Sequence, residues 1–263
     1  MLLYRTLSAL VGIPVILLSV WYGDLPWLML ILAIVVMGII EMCHLWGKIN
    51  IHTWLPGSLT GGLLFVGAAH WANVDLFGIL FLVTILFSVC YLVAVFPSFT
   101  FTELAATFFT PIYAGWLLTH MILLRQLPSG FNFVLLVLVA TWSTDTFAYF
   151  VGTSLGKRKL APVISPNKSV EGAVGGVAGS VLAALIVGLA GQQLAFWDCV
   201  VLGVLVGISG QLGDLVESAF KRMAGVKDSG KLIPGHGGIL DRFDSLYFTA
   251  PIVYYYIELF TIK

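Results

Sequence analysis

The chain predicts an all-α fold: a polytopic membrane helix bundle with about nine transmembrane helices. Three observations carry this. Of 263 residues, 59% are hydrophobic and 10% charged, with a mean hydropathy of +1.01, which leaves too little polar surface for a water-soluble globule of this length. The apolar residues run in long stretches broken by turn chemistry at Gly23-Asp24, Pro56-Gly57, Pro97-Ser98 and Pro128-Ser129-Gly130. Short segments of alternating apolar and polar residues, the mark of an outer-membrane barrel, are missing, and irregular backbone is forbidden against lipid, so the spans should be helices.

The first expected helix, Leu7 to Tyr22, follows Arg5 and could pass for a secretory signal, but no small-x-small cleavage pattern follows and further spans come at once. It is read as an anchored helix. The second, Leu25 to Trp46, ends beside Glu41, His44 and Lys48, where headgroup water can reach. The third, Gly57 to Trp71, is short for a hydrocarbon core of about 30 Å, as is the first; either is a candidate for a re-entrant or interfacial segment. Leu76 to Phe96 and Glu103 to Leu124 follow as the fourth and fifth. The sixth, Phe131 to Gly152, carries Asp145 deep in its length. The seventh, Gly172 to Gly191, bears Gly172, Gly176, Ser180, Ala184 and Gly188 at a strict spacing of four, a smooth stripe for close helix packing. The eighth and ninth run Phe196 to Val216 and Ser245 to Phe260.

These helices are expected to form a single integral-membrane domain over residues 1–263. Residues 1–130 would be largely apolar scaffold, and residues 131–263 a catalytic half with two long cytoplasmic loops. Only seven of the 26 charged residues fall in positions 1–140. If the N-terminus is cytoplasmic, 11 of the 13 Lys and Arg residues fall on that side and only Arg125 and Lys263 opposite, as the positive-inside rule requires. The net charge of zero gives no ground for a nucleic-acid partner. Cys43, Cys90 and Cys199 lie in apolar stretches with no ligand spacing, as core residues do.

The chemistry concentrates in two places. On the eighth helix Gln211, Asp214, Glu217, Ser218 and Lys221 recur at spacings of three and four along one face. A carboxylate at membrane depth costs on the order of 2.5–3.5 kcal/mol, which makes Asp214 and Asp145 functional candidates; a carboxylate merely satisfied by Lys221 or a neighbouring helix is the alternative. From Ser218 the chain crowds Lys221, Arg222, Lys227, Lys231 and Arg242 around Asp228, Asp241 and Asp244, with Pro-Gly-His-Gly-Gly between them. Gly235, Gly237 and Gly238 beside His236 let backbone N–H groups turn toward an anion. Asp241 and Asp244 open the last helix, either as an N-terminal cap or, if helices eight and nine pack side by side, as partners of Asp214 in an oxygen-rich Mg²⁺ site. The other loop runs Gly156-Lys-Arg-Lys159, then Ser165-Pro-Asn167-Lys168 to Glu171-Gly172. It is no P-loop, because only three residues separate its glycines and Arg158 follows the Lys. Its surplus of positive charge suits a triphosphate or an anionic lipid headgroup.

These residues closely resemble the phosphatidate cytidylyltransferases, or CDP-diacylglycerol synthases. Ser218, Lys221, Arg222, Lys227, Asp228, His236, Gly237, Gly238, Asp241, Arg242 and Asp244 stand in the register of that family's C-terminal pattern. The similarity extends upstream through Asp145, Lys159-Leu-Ala-Pro, Asn167, Lys168 and Glu171-Gly172, so it covers roughly the second half of the chain. The resemblance implies a reaction in which phosphatidate attacks the α-phosphate of CTP at the cytoplasmic face of a bacterial-type inner membrane. Asp214 and Asp241, with Asp244 and Asp145, would hold Mg²⁺. Lys221, Arg222, Lys227 and Arg242 would neutralise phosphate oxygens, His236 and its glycines would wrap the nucleotide, and Asn167 and Lys168 would reach phosphates or the cytosine. A second cation and a homodimer are left open. The runner-up reading is an ion-coupled transporter with Glu41, Asp145 and Asp214 as its path, which would have no need of the polar loop. A CDP-alcohol phosphotransferase would carry Asp-Gly-x-x-Ala-Arg, which is missing.

Overall fold

A computed structural model describes residues 2–191, 194–230 and 237–261. Among them are nine helices: α1 (Leu2–Tyr22), α2 (Asp24–Lys48), α3 (Leu55–His70), α4 (Asp75–Val95), α5 (Phe101–Gln126), α6 (Gly130–Leu155), α7 (Val170–Ala190), α8 (Phe196–Met223) and α9 (Leu240–Tyr256). Six of them, α2 and α4 to α8, are long and apolar enough to cross a membrane by length and composition. At 16 residues α3 rises about 24 Å, short of the roughly 30 Å hydrocarbon core, as its sequence led us to expect. α4 leaves Ile79, Leu82, Leu86, Phe87 and Val93 exposed, a surface suited to lipid rather than water. The chain is a multi-pass membrane protein.

Local chemistry explains where the helices break. Gly23, at φ +67°, turns the chain between α1 and α2. The hydroxyl of Thr100 accepts from the Glu103 N–H at 3.3 Å and the Glu103 carboxylate accepts from the Thr100 N–H at 2.7 Å, a capping box that starts α5. Within α5 the five residues Ile112–Trp116 widen into a π-turn directly after Pro111, whose missing N–H and bulky ring disturb the regular ladder. α9 widens likewise over Ile257–Thr261.

Three boundaries differ by five or more residues from the sequence-based expectation. α1 begins at Leu2 rather than Leu7. α8 continues to Met223 rather than stopping near Val216, and α9 begins at Leu240 rather than Ser245. Ser218, Lys221 and Arg222 are therefore helical, as are Asp241, Arg242 and Asp244. Polarity marks where a helix leaves the hydrocarbon, not where its hydrogen bonds end. The expected loop between α6 and α7 also contains an antiparallel hairpin, β1 (Lys159–Ala161) with β2 (Ser165–Ser169), in which Lys159 pairs with Ser169 and Ala161 with Ser165. Strands this short carry no readable alternation.

The chain divides into two compact units, Met1–Leu123 with Phe220–Arg242, and Leu124–Ala219 with Phe243–Lys263. The first unit takes in the polar segment after α8. Its core is built on the buried stripe Trp27, Ile31, Ile34, Val35, Ile39, Met42 and Leu45 of α2, and Trp27 Nε1 donates to the Met121 carbonyl at 3.0 Å. In the second unit α6 and α7 pack very closely. A Cβ at Gly176 would stand 3.0 Å from the Thr144 carbonyl oxygen and one at Gly172 2.8 Å from that of Ala148. Gly172, Gly176, Ser180, Ala184 and Gly188 are all buried, so the small-residue stripe is the helix seam its spacing implies.

Candidate active site

In the first unit the site is built around the C-terminal end of α8. Phe220 packs its ring against Trp46, Phe109 and Tyr113, with centroids at 5.8, 5.7 and 5.5 Å. Such pairs contribute about 0.5–1.5 kcal/mol each beyond their buried area, and they anchor the turn that carries Lys221. The helix then stops in a Schellman arrangement. The Val226 N–H donates to the Lys221 carbonyl at 2.9 Å and the Gly225 N–H to that of Arg222 at 3.1 Å, with Gly225 at φ +67° in the left-handed conformation such a stop requires.

Asp241 receives the side chain so placed. Lys221 Nζ lies 2.6 Å from Asp241 Oδ1, with the two side chains only 16% and 4% exposed. Asp241 Oδ2 accepts from the Ser229 N–H at 2.8 Å, the Ser229 hydroxyl at 2.9 Å and the Gly238 N–H at 2.8 Å. Burial pushes the Asp241 carboxyl up, but the hydrogen bonds from Lys221 and these backbone groups outweigh it and hold it below its ordinary value. Gly237, at φ +83°, has no room for a side chain, since a Cβ would come within 2.6 Å of Asp241 Oδ2.

Glu41 completes the cluster. Its side chain is 4% exposed, and its carboxylate accepts from the Ile239 N–H, the Leu240 N–H and the Ser229 hydroxyl, each at 2.9 Å. Helix N-termini leave their first N–H groups without partners; here an acid from α2 takes two of them. Any Cβ at Gly230 or Gly238 would collide with the same carboxylate. Beside this cluster opens a cleft of about 690 Å³ lined by Ile40, His44, Lys48, Val226, Lys227 and Asp228.

In the second unit a cleft of about 630 Å³ is lined by Asp145, Tyr149, Asn167, Lys168, Gln211 and Asp214, among others. Lys168, on β2, reaches Asp214 of α8 at 2.6 Å; the side chains are 26% and 30% exposed. The Ser218 hydroxyl donates to the other Asp214 oxygen at 3.2 Å. Gln211 Nε2 donates to the Ala173 carbonyl at 3.1 Å and fixes α8 against α7. The hairpin is held at its root by Glu171, which accepts from the Lys157 and Arg158 N–H groups at 3.0 and 3.1 Å. α8 and α9 do run side by side here, since a Cβ at Gly213 would stand 2.5 Å from the Asp244 carbonyl oxygen.

The sequence-derived candidates thus separate into groups. Lys221, Asp241, Gly237 and Gly238 meet in the first unit, with Lys227 on the rim of its cleft; Arg222 and Arg242 are exposed. Asp145, Asn167, Lys168 and Asp214 share the cleft of the second unit, and Asp244 starts α9 beside Gly213. Asp145, expected deep within its helix, is midway along it yet exposed to that cleft. His236 lies outside the described residues, as does Lys231. Sequence reasoning gave no role to Ser229 and only a weak one to Glu41, whose one signal was an acid near the end of an apolar helix.

Among the described residues no three of His, Cys, Asp and Glu form a ligand cluster. That accords with Mg²⁺ chemistry, in which one or two carboxylates and substrate phosphates replace an all-protein cage. The part-exposed Asp214, with Asp145 on the same cleft, fits such a site. Asp241, in the first unit, is instead the partner of Lys221.

Buried carboxylates, clefts lined by lysines and helices long and apolar enough to cross a membrane define a membrane-embedded protein with polar sites suited to phosphate groups. The chain belongs to the cytidylyltransferase family, whose model matches residues 3–260. It is 40% identical to a phosphatidate cytidylyltransferase of Bacillus subtilis (strain 168) over 266 residues, covering 98% of each chain. A phosphatidate cytidylyltransferase of Staphylococcus saprophyticus is 36% identical over 258 residues, covering 95% of this chain and 96% of that one. Such membership makes this a CTP-using nucleotidyltransferase and leaves the transporter reading without support.

Proposed function

We propose that the protein is a phosphatidate cytidylyltransferase, joining phosphatidate to CTP to give CDP-diacylglycerol and pyrophosphate. The observation that carries this is the Lys168–Asp214 pair at 2.6 Å on the rim of a polar cleft, taken with relatives of that name along the whole chain. A phosphatidate oxygen forms a bond to the α-phosphorus of CTP; the bond from that phosphorus to the bridging oxygen breaks, and pyrophosphate leaves with the electron pair. The nucleophile is a phosphate monoester, whose second pKa of about 6 leaves it largely ionised at neutral pH, so no general base is needed. The barrier is the approach of two anions, and positioning with charge neutralisation lowers it.

In this reading Asp214, with Asp145 and Asp244, would supply carboxylate oxygens for Mg²⁺. Mg²⁺, when bound, offsets the charge of the α-phosphate and the departing pyrophosphate. Lys168 and Asn167 hold phosphates or the cytosine. Lys221, held by Asp241, offers its ammonium to phosphate oxygens, and Arg222, Arg242 and His236 with its glycines add further donors. The cleft beside Glu41 pairs apolar Ile40 and Val226 with exposed Lys48 and Lys227, a combination suited to a lipid phosphate entering from the bilayer. The positive-inside distribution supports placement in an inner membrane with the two basic loops toward the cytoplasm, where CTP is found.

Incubating membranes that contain the protein with cytidine-labelled CTP and phosphatidate tests the reaction. The label is expected in a chloroform-soluble lipid; label that stays wholly in water would end the proposal. Replacing both Lys48 and Lys227 by Gln is expected to raise the KM for phosphatidate about 30-fold, from about 1 kcal/mol that each basic residue contributes at an anionic lipid surface. The KM for CTP should barely change, and a rise confined to CTP would reassign that cleft.

A further inference from the structure

We infer that Glu41 is a positioning residue for the transfer step, holding the Lys221–Asp241 pair in place from a helix far removed in the chain. The inference rests on the role proposed above for Lys221. The Ser229 hydroxyl lies 2.9 Å from both Glu41 Oε2 and Asp241 Oδ2, so a single proton bridges the two acids. The remaining bonds to Glu41 come from the Ile239 and Leu240 N–H groups, immediately before Asp241. Three separate stretches of chain, α2, the segment after α8 and the start of α9, are thereby tied to one carboxylate.

The chemistry requires an acid at this point. Two backbone N–H groups and a hydroxyl converge on two oxygens, and only a carboxylate presents two acceptors and no donor. An amide keeps the shape but turns an NH₂ toward groups that must themselves donate. The glycines at 230 and 238 leave room for the carboxylate and for nothing larger. Without the acceptor, the first turn of α9 loses its anchor and Asp241 loses the lateral support that aims Lys221. Glu41 acts through Ser229 and the first turn of α9 rather than on the reacting atoms, although it lines the cleft proposed for phosphatidate.

Glu41→Gln, purified in detergent and assayed for cytidylyl transfer, is therefore expected to lose about 100-fold in kcat, the scale of a 1 Å misplacement of a catalytic group. KM for CTP should change little. Lys221→Ala should also lose kcat, and the double variant should be no worse than Lys221→Ala alone, because both act through the same ammonium. Ser229→Ala removes only the bridge and should lose part of the same activity; it replaces Glu41→Gln should that variant not fold. Wild-type kcat in Glu41→Gln, multiplicative losses in the double variant, or a loss that follows only the unfolded fraction in a melting curve would each overturn the inference. If Lys221→Ala loses activity while Glu41→Gln does not, the inference alone fails. If Lys221→Ala turns over normally, the role proposed for Lys221 fails with it.

Discussion

Asp214→Asn is expected to lower turnover by on the order of 10²–10³-fold, comparable with removing one preorganised electrostatic group from a reaction centre. The substitution is nearly isosteric, so α8 should keep its contacts through Gln211, Gly207 and Gly213. What changes is the charge. In the native protein Asp214 accepts from Lys168 at 2.6 Å and from Ser218 at 3.2 Å; as Asn it keeps an acceptor but loses the anionic oxygen a divalent cation needs. Activity should recover only partly at raised Mg²⁺, and the apparent Mg²⁺ requirement should shift upward. Wild-type turnover at unchanged Mg²⁺ would remove Asp214 from the metal site and leave it as the structural partner of Lys168.

Gly238→Ala should cost about 3–5 kcal/mol of stability, the scale for breaking a buried charged network. The added Cβ would run into the Ser229 hydroxyl and both Glu41 oxygens, and those atoms cannot retreat without giving up the bonds to Ile239, Leu240 and Asp241. A falling melting temperature in detergent, together with lost activity, is the expected outcome. Gly78→Ala is the matching control. A Cβ there meets nothing within 4 Å, and replacing a helical glycine by alanine stabilises by roughly 0.5–1 kcal/mol. Equal effects at the two positions would show that the glycine cradle does not constrain the fold.

Much of this architecture is legible without coordinates because a bilayer permits so few alternatives. Long apolar runs must be helices, and turn residues must separate them, so seven of the nine expected helices start within about two residues of their sequence-based positions. The stripe from Gly172 to Gly188 announces a close seam because only small residues let two backbones approach. The candidate residues Asp145, Asn167, Lys168 and Asp214 are recognisable singly, each being costly or unusual in its setting; that they line one cleft is visible only in the fold. α9 was misplaced at its start because Asp241 and Arg242 look like loop residues; a helix accepts them once Glu41 takes its leading N–H groups.

The sequence by itself determined that this is a multi-pass helical membrane protein, because hydropathy acts locally and leaves local marks. Only the tertiary structure decided that Glu41, from the apolar first half, is tied to Ser229, Ile239 and Leu240, that Lys221 belongs to Asp241, and that Lys168 belongs to Asp214. A hydrogen bond between residues 188 or more positions apart imposes no spacing or periodicity on either segment. Its partners are chosen by how the helices pack, and packing is a property of the whole chain.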